Sequence, residues 1–117
     1  MTSSKTTFEA PHLKNTDSPT IVSHTEFTGG KAALMASYLA KEGDQVTFVI
    51  QVDSNVRYEK LVTVSPGGAT AGEVGTKLNP VDDWQLVAKT VTTYFTVSRK
   101  GLPVGQSQPF EFTVANA

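Results

Sequence analysis

The chain has 117 residues, room for one domain that buries roughly two-thirds of its unfolded surface. It is 38% hydrophobic and 18% charged and holds no cysteine, which excludes disulfides, thiolate metal sites and cysteine nucleophiles. Ten basic residues against eleven acidic ones leave a net charge of -1, so there is no basic field to hold nucleic acid or an anionic membrane surface.

Residues 1–19 carry seven Ser or Thr with Pro11 and Pro19, and besides Met1 their only large apolar side chains are Phe8 and Leu13. So polar a stretch predicts a flexible N-terminal tether, with the folded domain spanning 20–117. The stretch lacks a basic region followed by an apolar one, so no signal peptide is expected. Nowhere do about 18 apolar residues run together, so no membrane insertion is expected either.

Thr20 to Ser23 reads as a short strand ending before Thr28-Gly29-Gly30. Lys31 to Ala40 is Ala-rich enough for a helix, but the tight turn Lys41-Glu42-Gly43-Asp44 that follows favours a strand. Gln45 to Val52 is the clearest strand, because Val46, Phe48, Ile50 and Val52 alternate with Gln45, Thr47, Val49 and Gln51. Lys60 to Ser65 is a second, stopped by Pro66-Gly67-Gly68. Small residues fill 67–75 and suit a sandwich edge or crossing, and Thr76-Lys77-Leu78 follows as a brief strand. Asn79-Pro80 suits the cap and first position of a single helical turn ending near Leu86. Thr90 to Ser98 and Gln108 to Val114 are the last strands, with Arg99 to Ser107 as the hairpin loop between them. About seven short strands separated by turn signals predict an all-β, Greek-key β-sandwich.

Three stretches carry a family resemblance: Gly43-Asp44-Gln45-Val46-Thr47-Phe48, Thr93-Tyr94-Phe95-Thr96-Val97-Ser98-Arg99, and Ser107-Gln108-Pro109-Phe110-Glu111-Phe112-Thr113-Val114. They resemble the bacterial immunoglobulin-like repeats of large surface, adhesin-like proteins of pseudomonads and related bacteria, over about residues 20 to 115. Many such units carry an aromatic deeper in the strand after Gly-Asp, where this chain has Val49, Ile50 and Gln51. The resemblance implies an immunoglobulin-like sandwich, extracellular or at the cell surface as part of a larger protein, that spaces or presents other modules. Its partners would be other protein domains or surface ligands. It supplies no catalytic residue.

The residues themselves point the same way. No Gly-x-Ser-x-Gly occurs, and His12 and His24 are the only histidines, one of them in the expected tether. His24 and Glu26, two apart on an expected strand, would share a face as metal ligands but lack a third. Adjacent Asp82 and Asp83 would point to opposite sides of an extended chain and cannot flank one glycosidic bond. On a helical turn they would favour its N-terminus. Calcium would need Glu42, Asp44, Asp53, Asp82 and Asp83 to converge at one pole. No enzyme, metal or cofactor is therefore expected. Trp84 and Tyr58 could stack on sugar rings, which makes a small carbohydrate-binding sandwich the alternative function. The stronger expectation for Trp84 is a buried anchor of the core or corner. Tyr94 suits a tyrosine corner, its hydroxyl bonded to backbone.

Overall fold

A computed structural model describes residues 6–53 and 55–116. Among them, ten strands and two short helices build an all-β sandwich, more strands than the seven or so that the turn signals suggest. The strands are β1 (Thr6–Phe8), β2 (His12–Lys14), β3 (Ile21–Val22), β4 (Ala33–Ser37), β5 (Gln45–Gln51), β6 (Arg57–Thr63), β7 (Glu73–Lys77), β8 (Thr90–Arg99), β9 (Leu102–Ser107) and β10 (Phe110–Val114). The helices are α1 (His24–Thr28) and α2 (Pro66–Ala71), and Trp84–Leu86 forms one 3-10 turn.

The larger sheet has seven strands and the smaller has three, in the order β2-β4-β7. In the larger one, β5 lies between β6 and β8, antiparallel to both. The other edge of β8 is shared: β9 pairs with its end and β10 with its beginning. Outside these, β1 runs parallel to β9 and β3 parallel to β10.

Period-two patterning explains the core. Val46, Phe48 and Ile50 of β5 stand opposite Val97, Phe95 and Thr93 of β8, and all six are buried. Phe112 and Val114 extend this surface, while Leu13, Leu34, Ala36 and Val74 meet it from the smaller sheet. The polar member is satisfied, because the Thr93 hydroxyl donates to the Val49 carbonyl at 2.8 Å. Where Gln108-Pro109 breaks the ladder between β9 and β10, the Ser107 hydroxyl accepts from the Phe95 N–H at 2.9 Å and stands in for a backbone carbonyl.

Four local expectations are corrected. The predicted tether is part of the sandwich from Thr6 onward; Met1 to Lys5 lie outside the described residues. β1 pairs with β9, β2 pairs with β4, Pro11 and Leu13 are buried, and Phe8 stacks on Phe95 at 5.7 Å between ring centroids. A few apolar residues suffice to dock a polar stretch, because the parallel ladder with β9 and the antiparallel ladder with β4 satisfy its backbone. His24 to Thr28 is a helix, not the end of a strand: Ser23 caps the Glu26 N–H while the Glu26 carboxylate accepts from the Ser23 N–H. The start of the small-residue stretch is α2, capped by the Ser65 hydroxyl and closed by Gly72 at φ +68°. Lastly, the expected loop from Arg99 to Ser107 is a two-residue turn, Lys100-Gly101, followed by β9. Positive φ at both residues (54° and 80°) matches the right-handed twist of the flanking strands.

Candidate functional site

Two buried carboxylates fix the loops that shape the ends of the sandwich. Asp44 ends the turn before β5, where Gly43 takes φ +90°. Its oxygens accept from Arg99 Nε at 2.7 Å, Arg99 Nη2 at 2.9 Å, the Tyr38 hydroxyl at 2.8 Å and the Lys41 N–H at 3.0 Å. The Arg99 fork, more than the turn N–H and the phenol, holds this carboxyl down at about 2 against the opposing pull of burial. Burial and the facing carboxylate push the Tyr38 hydroxyl above its ordinary value. Together these bonds tie the β4–β5 loop to the end of β8.

Asp83 does the same at the opposite end. It accepts from the Tyr58 hydroxyl at 2.6 Å, Lys60 Nζ at 2.7 Å and the Asn79 N–H at 2.9 Å, so the β7–β8 loop is tied to β6. Burial, then the Asp83 carboxylate, raises the Tyr58 hydroxyl. Asp82 and Asp83 therefore do not share a role at a helix start: Asp82 is exposed, and Asp83 is buried and ion-paired. Both carboxylates are held by fixed cations and phenols, so their chemistry is spent on holding loops.

The two aromatic residues expected to stack on a ligand part company. Tyr58 lies on the inward side of β6 with its hydroxyl on Asp83, while Trp84 is 63% exposed, not the buried anchor expected of it. The core at that corner is closed by Leu78 and Leu86 instead, both fully buried. Tyr94 is no tyrosine corner, because its hydroxyl meets Arg57 Nη2 at 3.2 Å on the outer face of the sheet. Glu26 is occupied by the N–H groups of Ser23 and Asp17, which lower its carboxyl below the usual range. His12 faces Glu73 at 3.5 Å. Of the five acidic residues considered for calcium, Glu42 and Asp44 sit at the β4–β5 end and Asp53, Asp82 and Asp83 at the other. Among the described residues no group of three or more His, Cys, Asp or Glu is placed to hold a metal.

Among the surface hollows, two are lined by aromatic side chains. One, of about 450 Å³, lies beside β1 and includes Phe8, Tyr38, Leu39, Arg99 and Val104 in its lining. The other, of about 260 Å³, lies between the β5–β6 loop and the 3-10 turn, lined by Val52, Asp53, Val56, Trp84, Gln85 and Lys89. Asp53 is fixed there, its Oδ1 accepting from the N–H groups of Asn55 at 2.7 Å and Val56 at 2.9 Å. Sequence reasoning missed Asp53, Gln85 and Lys89 as neighbours of Trp84. The Asp-Ser-Asn turn signal was readable, but its proximity to Trp84 depends on strand register. Comparison with protein-family models, curated proteins and solved structures finds no match.

Proposed function

We propose that this chain is a non-catalytic, immunoglobulin-like module that acts as a spacer or adhesion unit of a bacterial surface or secreted protein and carries tension along its strands. One observation supports this above others: the pairing of the outermost strands. β1 runs parallel to the second half of β9, from Gly105 to Ser107, with Thr6 on the side toward the Lys100-Gly101 turn. β10 runs parallel to β3 and finishes at the opposite end, where Ala115 N–H donates to the Val22 carbonyl at 2.8 Å. Tension applied through Thr6 and Ala115 therefore shears both ladders, three and two residue pairs long, so the bonds of each must fail together. Pulling an antiparallel hairpin apart from its open end breaks them singly. The three stretches behind the family resemblance fall at the turn into β5, on β8, and on the break and strand at β10, and all of them organise the fold.

The test is single-molecule unfolding with handles attached in two ways. Handles on the chain ends should require a clearly higher force than handles on Gln45 and Thr63, which face each other at one end of the β5–β6 pair and would unzip it. Equal low forces in the two geometries would remove the mechanical reading.

A further inference from the structure

We infer that the hollow beside Trp84 binds a single neutral sugar ring. This goes beyond the spacer reading, which is decided by unfolding forces and survives if no sugar binds. The starting point is an indole with no task in the fold: Leu78 and Leu86 close the core beneath it, yet Trp84 leaves 63% of its surface in water.

The indole is also held on a fixed support. The Asn79 side-chain oxygen accepts from the N–H groups of Val81 at 3.0 Å and Asp82 at 2.8 Å, and Asp83 N–H donates to the Asn79 carbonyl at 2.9 Å. The Asp83 carboxylate then anchors this turn to Tyr58 and Lys60. Across the hollow, Asp53 is locked by its own turn, and the Gln51 amide donates to the backbone carbonyls of Asp53 and Val56. Among the described residues, Asp53, Val56 and the turn under Trp84 are thus tied by hydrogen bonds of their own, which lowers the ordering cost of binding.

The lining chooses the ligand class. A pyranose has a C–H face that stacks on an aromatic ring and a rim of hydroxyls that both donate and accept. Trp84, Val52 and Val56 provide the apolar part, Asp53 an acceptor, Lys89 a donor and Gln85 one of each. Among the described residues no side-chain hydrogen bond engages the Trp84 indole N–H, the Gln85 amide or the Lys89 ammonium. One carboxylate against one ammonium gives no net charge, which disfavours phosphate and sulfate esters. At about 260 Å³ the hollow falls below the range of about 300–1,000 Å³ usual for drug-sized ligands, a size that suits one ring.

Trp84 is the sole tryptophan, so its emission reports on this site alone. The full chain would be titrated with the methyl glycosides of glucose, galactose, mannose and N-acetylglucosamine, and with adenosine as a flat neutral competitor. Amide and indole shifts would be followed by NMR alongside fluorescence. The expected result is saturable binding of at least one glycoside, with a Kd on the order of 1 mM and shifts confined to Val52, Asp53, Val56, Trp84, Gln85 and Lys89. Trp84→Ala should abolish it with an unchanged melting temperature, and Gln85→Ala should weaken it by up to about tenfold, the worth of one hydrogen bond. Binding that survives Trp84→Ala, shifts outside the hollow, response to adenosine alone, or no response to any glycoside would each overturn the assignment.

Discussion

Single side chains decide how this sandwich responds to acid. Asp44 is buried among Arg99, Tyr38 and the Lys41 N–H, and the Arg99 fork, chiefly, brings its carboxyl down to about 2. An unfolded aspartate titrates near 3.9, so the folded state binds the proton more weakly. The stability this supplies, about 2–3 kcal/mol, is fully present above pH ~4 and fades as pH falls toward about 2. Urea melts of the parent between pH 5 and pH 2 should follow that decline. Arg99→Met should destabilise the protein by about 3–5 kcal/mol at neutral pH, because it strands a buried charge. Asp44→Asn in the same melts should flatten the acid dependence over this window. An acid profile unchanged by Asp44→Asn would place the effect elsewhere. Tyr38 and Tyr58 work in the opposite sense, since a raised phenol stabilises the fold below pH ~10 and loses that contribution only as pH climbs further.

Among the elements, the inward face of β8 and the added strand β1 make the sharpest tests. Phe95 is fully buried between the sheets, with Phe48, Phe8 and Tyr38 around it. Phe95→Ala should cost about 3–5 kcal/mol, enough to leave a domain of ordinary stability largely unfolded. Thr96, next along β8 and facing outward, should cost under about 1 kcal/mol when changed to Ala. Phe8 is half-buried, so Phe8→Ala should cost about 2 kcal/mol, less than a fully buried phenylalanine. Deleting residues 1–10 should lower the melting temperature by several degrees, because the β1–β9 ladder goes with it. A melting temperature untouched by that deletion would return the segment to the status of a tether.

At the scale of the whole molecule, the two ends are built alike and serve different surfaces. Each has a buried aspartate that accepts from a tyrosine and a cation, and each thereby fixes a loop that joins the two sheets. The acidic residues are divided between the ends, so six to eight oxygens cannot gather around one calcium ion from Glu42, Asp44, Asp53, Asp82 and Asp83. Thermal melts in EDTA and in millimolar calcium should superimpose. A rise of more than about 4 °C with calcium would reveal a site, since an ion bound only by the folded state must raise its stability.

Much of this architecture was already written along the chain. Alternation in Gln45 to Val52 and in Thr90 to Ser98 determines which side chains face the core, because a strand has period two whatever its partners. Gly43-Asp44 and Asn79-Pro80 mark their turns, since φ preference and local capping act within a few residues. Other features depended on partners distant in sequence. Residues 6–14 are polar by composition and become strands because β9 and β4 offer them open edges. His24 to Thr28 is the exception, because the Ser23-x-x-Glu26 capping box that makes it a helix is local and was overlooked beside the preceding strand. The inward place of Tyr58 and the exposure of Trp84 go together, because Tyr58 and Lys60 reach Asp83 only once β6 lies against the β7–β8 loop. That anchoring leaves Trp84 outside, and the hollow beside it exists only because the β5–β6 turn is brought across from thirty residues earlier in the chain, where Asp53 precedes Asp83. Local rules act over a few residues and so fix strands and turns, whereas a surface site is assembled from side chains that only the closed sandwich makes neighbours.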